Sequence, residues 1–231
     1  MAAVLVVATT IGPRLDGAWF GGHDGATPAA SSTDAGSSGD HDDTREQRSL
    51  RRAAVDDALH RCKVGYAAEQ DAVHAAHVTL HQWDVHIGAM NKLVAGEITL
   101  AKARSFWAET RDAAAKNAHA FRSADRAYRE QADGCAPLGP TLSGAADPSD
   151  AAGLTTCAVA MHAGERVLVT ARTALTTWEH HIKDMNRLRS GKLSPQKATD
   201  DWQKNWKMGN MQMKMYHKPA AADENAHCPL A

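Results

Sequence analysis

The segment WDVHIGAMNKLVAGEITLAKARSFW, from Trp83 to Trp107, occurs a second time as WEHHIKDMNRLRSGKLSPQKATDDW, from Trp178 to Trp202. The offset is a constant 95 residues, and at it Trp83, His86, Ile87, Met90, Asn91, Leu93, Gly96, Lys102, Ala103 and Trp107 are matched by identical residues. A chain carrying the same 25-residue passage twice is constrained to build the same local structure twice. What that structure is can be read from the parts of the passage.

Upstream of the first copy, Val55, Leu59, Cys62, Tyr66, Val73, Ala76, Leu80, Trp83, Ile87, Met90 and Val94 keep the three-and-four spacing of one buried helix face. The spacing predicts a first helix over 46–95. Gly96 then supplies a residue able to adopt the left-handed conformation that ends a helix, and Thr99 a side-chain oxygen able to cap the next one. The second copy repeats this with Gly191, Ser194 and a proline, Pro195, at the first helical position, where its missing N–H costs nothing. Further helices are expected over 100–132, 150–190 and 195–217, with Pro219 closing the last. The repeated passage is therefore the tip of an αα-hairpin, and Trp107 and Trp202 are expected to fold across their own tips onto Trp83 and Trp178.

No alternating strand pattern and no Asn-Gly or Asp-Gly hairpin turn punctuates the chain. The expected fold is all-α, an up-down-up-down four-helix bundle built from two duplicated αα-hairpins and preceded by a disordered linker. Residues 46–231 form the bundle, with repeat 1 over about 46–135 and repeat 2 over about 150–228. Residues 21–45, rich in Gly, Ser, Ala, Asp and Thr, cannot bury enough apolar surface to offset the entropy of ordering, and read as the linker. Residues 1–20 include AAVLVVATTI, an apolar run of signal-peptide size without the basic residues that normally precede one; it reads as an incomplete export signal, or else as a buried strand-like segment. It is too short to span a bilayer, and no stable membrane span is expected.

The four cysteines follow the repeat. Cys62 and Cys157 share the 95-residue offset, and Cys135 and Cys228 fall within two residues of it. Folding each hairpin at its glycine brings Cys62 level with Cys135 and Cys157 level with Cys228, so these are the expected disulfides. The other two connectivities stay open, because the topology gathers all four sulfurs at one end. Disulfides of this kind belong to an oxidising compartment, so an extracytoplasmic location, secreted or cell-surface associated, is expected.

Thirteen histidines raise the question of a metal. His86 and Met90 are four residues apart, as are His181 and Met185, so each pair shares one helix face at the tip end. Two imidazoles and two thioethers would suit Cu(I); one His and one Met as axial ligands would suit haem b. Packing offers the competing account, in which Trp83, Ile87 and Met90 are core residues and the imidazoles hydrogen-bond a neighbouring helix. A second set occurs in one copy only: His74, His77 and His81 on the first helix, His119 on the second, and Met208, Met211, Met213, Met215 and His217 on the last. Of these, His74, His77, His119 and Met211 form the secondary metal candidate, against the alternative of a solvated face.

Other chemistries lack their signatures. A formal net charge of −1 gives no basic face for phosphates, so no nucleic acid is expected. The sequence contains no Glu-x-x-His pair for a di-iron bundle, no H-E-x-x-H, no G-x-S-x-G and no glycine-rich phosphate loop, so no catalytic residue is assigned.

With Cys62, the pattern W-[DE]-x-H-I-x-x-M-N-[KR]-L-x-x-G and its duplicate, residues 46–231 resemble uncharacterised exported duplicated helical-hairpin proteins of high-GC Gram-positive bacteria. The resemblance implies export and a duplicated helical domain, and brings with it no activity and no functional residues. The expected function is a non-enzymatic extracytoplasmic binding or interaction domain for an unknown protein or small ligand, with no cofactor. The alternative is a copper- or haem-binding bundle using the His/Met set at the hairpin tips.

Overall fold

The computed structural model describes residues 39–231, with side chains from Thr44 onward. The apolar N-terminal run and residues 21–38 of the expected linker lie outside the described residues. Within them the chain is all-helical, without a strand: α1 (Gly39–Val94), α2 (Leu100–Asp112), α3 (Ala114–Arg129), α4 (Pro140–Ser143), α5 (Pro148–Arg189) and α6 (Pro195–Asp223). The first helix starts at Gly39, so the final residues of the stretch read as linker are helical instead. Their acidic sequence, GDHDD, is of the kind a helix N-terminus favours.

The two tips form as their sequences require. Gly96 and Gly191 take φ of 73° and 69°, a left-handed conformation open to glycine at little cost. At the first tip the N–H of Glu97 donates to Lys92 C=O and that of Gly96 to Leu93 C=O; at the second, Lys192 donates to Arg187 C=O and Gly191 to Leu188 C=O. This double bond pattern closes both helices in the same way. Thr99 Oγ1 and Ser194 Oγ then accept the amide N–H of Lys102 and Lys197, each at 3.3 Å, capping α2 and α6.

Three elements differ from expectation. The single second helix is broken at Ala113 into α2 and α3, where Ala113 has φ −103° and ψ 2°. The Thr110 hydroxyl, one turn before the break, bonds back to Phe106 C=O at 2.8 Å, a side-chain competition that bends helices. Just beyond the break, Thr79 of α1 donates to Asn117 C=O at 3.0 Å and ties α3 to α1. Pro219 does not end the last helix, which continues to Asp223. Burial of Tyr216, Ala220 and Asp223 on either side of the proline holds that turn against the lost hydrogen bond. A short α4 also occupies the loop between the repeats.

At the ends away from the tips, Cys62 is bonded to Cys135 and Cys157 to Cys228, the pairing expected from the repeat. The sulfurs of Cys62, Cys157 and Cys228 lie within 4.8 Å of one another, so the bridges pack together in the core. Between the bridges and the tips the core runs through Leu80, Val167, Leu168 and Leu175 to Trp83 and Trp178, with Leu154 on the far side of Cys157, all buried. Each such aliphatic side chain contributes about 1.5–3 kcal/mol on burial.

One charged residue interrupts this core. Glu69 of α1 is fully buried, neither carboxylate oxygen meets a partner in hydrogen-bond geometry, and a Cβ on Gly164 of α5 would overlap Oε1. Burial, then the negative charge of Asp223, push its acid constant up to about 8; the Gln70 side chain opposes the shift and Glu165 adds to it. The carboxyl is therefore largely protonated at neutral pH, the form a low-dielectric site favours.

Candidate functional site

The site grows out of the two tip segments. Trp83 and His86, three residues apart on α1, and Trp178 and His181, at the matching positions of α5, point their rings into one layer of the core, all four buried. Trp83 and Trp178 stack with ring centroids 4.8 Å apart. The imidazoles lie beside them, His86 5.0 Å from Trp178 and His181 5.6 Å from Trp83. Small residues make room for the large rings: a Cβ on Gly209 of α6 would overlap Trp83.

His86 and His181 meet head to head, with Nε2 to Nε2 at 3.1 Å. His86 Nδ1 is 2.8 Å from Thr110 Oγ1. Because the Thr110 hydroxyl donates to Phe106 C=O, its oxygen accepts, which assigns the proton to His86 Nδ1. His86 Nε2 then accepts from the Nε2–H of His181, and His181 Nδ1 is left as a buried acceptor with no hydrogen-bond partner. Burial, then the neighbouring His181 and the Arg111 guanidinium, hold His86 down to about 3; burial holds His181 down to about 4. Both rings are neutral near pH 7, the state in which an imidazole nitrogen can ligate a metal.

The pair is reached from one side. A cleft of about 360 Å³ between α2, α5 and α6 has both histidines in its lining, with Trp107, Met185 and Trp202 beside them and Arg111 and Asp184 as its charged groups. Trp107 and Trp202 pack edge to face on each other at 5.6 Å, and Trp107 Nε1 donates to His86 C=O at 3.1 Å. The tryptophans thus pair between the repeats, where the sequence reading folded each across its own tip. Edge-to-face contact is a favoured arrangement for such rings. Asn91, a further repeated residue, uses its side-chain oxygen to accept from Trp206 Nε1 at 2.7 Å and its amide to donate to Asn210 at 2.8 Å.

Of the tip set, the structure brings together His86, His181 and Met185; Met90 is half-buried and is not among the residues lining the cleft. The secondary set does not converge. His74 is exposed, His77 Nδ1 is bonded to the Tyr216 hydroxyl at 2.8 Å, and His119 lines a separate groove with Arg122 and Glu179. Met211 faces solvent with Met208 and Met215, whereas Met213 is in the core. Helical geometry separates them, since 208, 211 and 215 lie on one face and 213 on the other. Among the described residues the one close group of three or more His, Cys, Asp or Glu is Cys62, Cys157 and Cys228, whose sulfurs are spent in disulfides. Sequence reasoning missed Thr110, Arg111 and the cleft itself, which depend on how α2 packs against α1 and α6.

Comparison of the chain with protein-family models, with curated proteins and with solved structures returned no match.

Proposed function

We propose that the protein is a non-enzymatic extracytoplasmic binding protein: an up-down-up-down four-helix bundle made by duplication of one αα-hairpin, with its ligand site in the cleft over His86 and His181. The observation that carries this reading is the pair of neutral, buried imidazoles, 3.1 Å apart, on the floor of an apolar cleft that opens to solvent. Burying two polar rings with an orphaned nitrogen is unfavourable unless it serves a purpose. A few polar groups converging in an apolar concavity is the usual form of a ligand site. Matching tip bonds and caps at a 95-residue offset, and cysteine pairs within two residues of it, support the duplication. Two disulfides and the resemblance to exported duplicated-hairpin proteins support the location. Among the described residues no helix is long and apolar enough to cross a membrane.

A second reading, copper or haem b as the ligand, is favoured by the imidazole geometry in its copper form. Two nitrogens each about 2.0 Å from one ion and 3.1 Å apart subtend about 100°, near tetrahedral. Haem b with one His and one Met as axial ligands would use only one of the two imidazoles and would leave their close approach unexplained. Native mass spectrometry and metal analysis of protein from an oxidising compartment test the reading. It predicts a bound ion or small molecule that is lost from the H86A/H181A variant. Retention of the same mass by that variant, or an enzymatic activity requiring these histidines, contradicts it.

A further inference from the structure

We propose that the cleft is a site for monovalent copper, held by Nε2 of His86, Nε2 of His181 and the thioether of Met185. This rests on the reading of the cleft as the ligand site and adds to it the identity and oxidation state of the ion. The two Nε2 atoms lie 3.1 Å apart, and an ion held by both replaces the hydrogen bond between the rings. His86 keeps its Nδ1–H bond to Thr110, the outer contact that orients a ligating imidazole. His181 moves its proton from Nε2 to Nδ1, the nitrogen that has no partner in the apo pair, so two neutral rings bind the ion with no net change in protons.

The choice among ions follows from the donors and the charges. Met185 lies one helical turn beyond His181 and lines the same cleft; a thioether is a soft ligand that favours Cu(I) over zinc or Cu(II). Zinc is almost always four-coordinate and Cu(II) takes tetragonal nitrogen and oxygen sets, whereas two nitrogens and one sulfur suffice for a low-coordinate monovalent ion. The cleft carries one cationic group, Arg111, and one carboxylate, Asp184, which is 3.5 Å from Arg187 in an ion pair. With the carboxylate partly neutralised, the guanidinium opposes a divalent ion twice as strongly as a monovalent one.

The test is an anaerobic competition of the apo protein with a chromophoric Cu(I) chelator, together with copper K-edge absorption of the loaded protein and parallel titrations with Cu(II) and Zn(II). The protein used carries M208L/M211L/M215L, which removes the exposed methionines of α6 as competing ligands. One Cu(I) per chain is expected, with two nitrogens and one sulfur around it. M185L should weaken Cu(I) by at least about tenfold, since loss even of an outer-shell contact costs about 10- to 100-fold, while leaving the thermal midpoint unchanged. H86A/H181A should abolish binding. A copper shell without sulfur, equal or tighter binding of Zn(II) or Cu(II), or unchanged Cu(I) affinity in M185L overturns the proposal while leaving the cleft a ligand site. If no metal binds but a small molecule is retained in a histidine-dependent way, the copper assignment falls alone; if neither binds, both readings fall.

Discussion

The clearest energetic consequence of the fold concerns Glu69. Its acid constant is about 4.5 in an unfolded chain and about 8 in the core, a difference worth 1.36 kcal/mol per unit, or about 5 kcal/mol in all. Because the folded value is the higher one, the folded state binds the proton more tightly. Stability is therefore fully present below about pH 4.5, falls as pH rises through the interval, and reaches its full loss above about pH 8. At pH 7 the loss is already about 3 kcal/mol by the same slope. Glu69→Gln keeps the shape and removes the charge, so it should match the wild type within about 1 kcal/mol near pH 4.5 and exceed it by about 5 kcal/mol at pH 9. Urea unfolding of the oxidised protein, followed by tryptophan fluorescence from pH 4.5 to 9, measures both curves. Parallel curves for the two proteins would refute the reasoning, because they would mean that Glu69 reaches solvent or finds a partner on ionising.

Three further outcomes follow from the same packing. Gly164→Ala places a methyl against the Glu69 carboxyl and should cost about 1–3 kcal/mol as overpacking; in a Glu69→Ala background most of that cost should vanish in a double-mutant cycle. Removing either disulfide as C62A/C135A or C157A/C228A opens a loop of 73 or 71 residues and should cost about 4 kcal/mol, read as a fall in thermal midpoint of about 10 °C. Thr110→Val leaves His86 Nδ1–H buried without its acceptor and should cost about 1–3 kcal/mol while moving the His86 ring resonances; an unchanged midpoint would mean that the bond is not made.

The parts legible in the sequence were those set by local rules or by the repeat. Glycines 96 and 191, the Thr99 and Ser194 caps and the cysteine pairs each follow from turn chemistry, capping or chain level, and the structure has them where those rules put them. The meeting of His86 with His181 was one of two accounts the sequence left open: the His/Met spacing put each pair on one helix face at the tip end, while packing put the imidazoles in hydrogen bonds to a neighbouring helix. Tertiary contacts decided the rest. The break at Ala113 depends on Thr110 bonding back along its own helix beside His86, and the passage of α6 through Pro219 depends on burial of Tyr216 and Ala220. Glu69 was not singled out in the sequence; its one signal is that the 95-residue offset makes Gly164 its equivalent, a small residue where the other copy is large. The single-copy histidines do not form a cluster because His77 is bonded to Tyr216 and His119, on α3, lines a separate groove.

The central claim is that His86 and His181 together hold one Cu(I). Side-chain nitrogen-15 spectra of the two histidines, before and after one equivalent of Cu(I), test it most directly. The account predicts neutral rings in the apo protein, with His86 protonated at Nδ1 and His181 at Nε2. On loading, both Nε2 resonances should move together, His86 should stay the Nδ1–H tautomer and His181 should become it. Ring resonances that stay fixed through the titration, or a shift confined to exposed histidines such as His74 and His119, would contradict it.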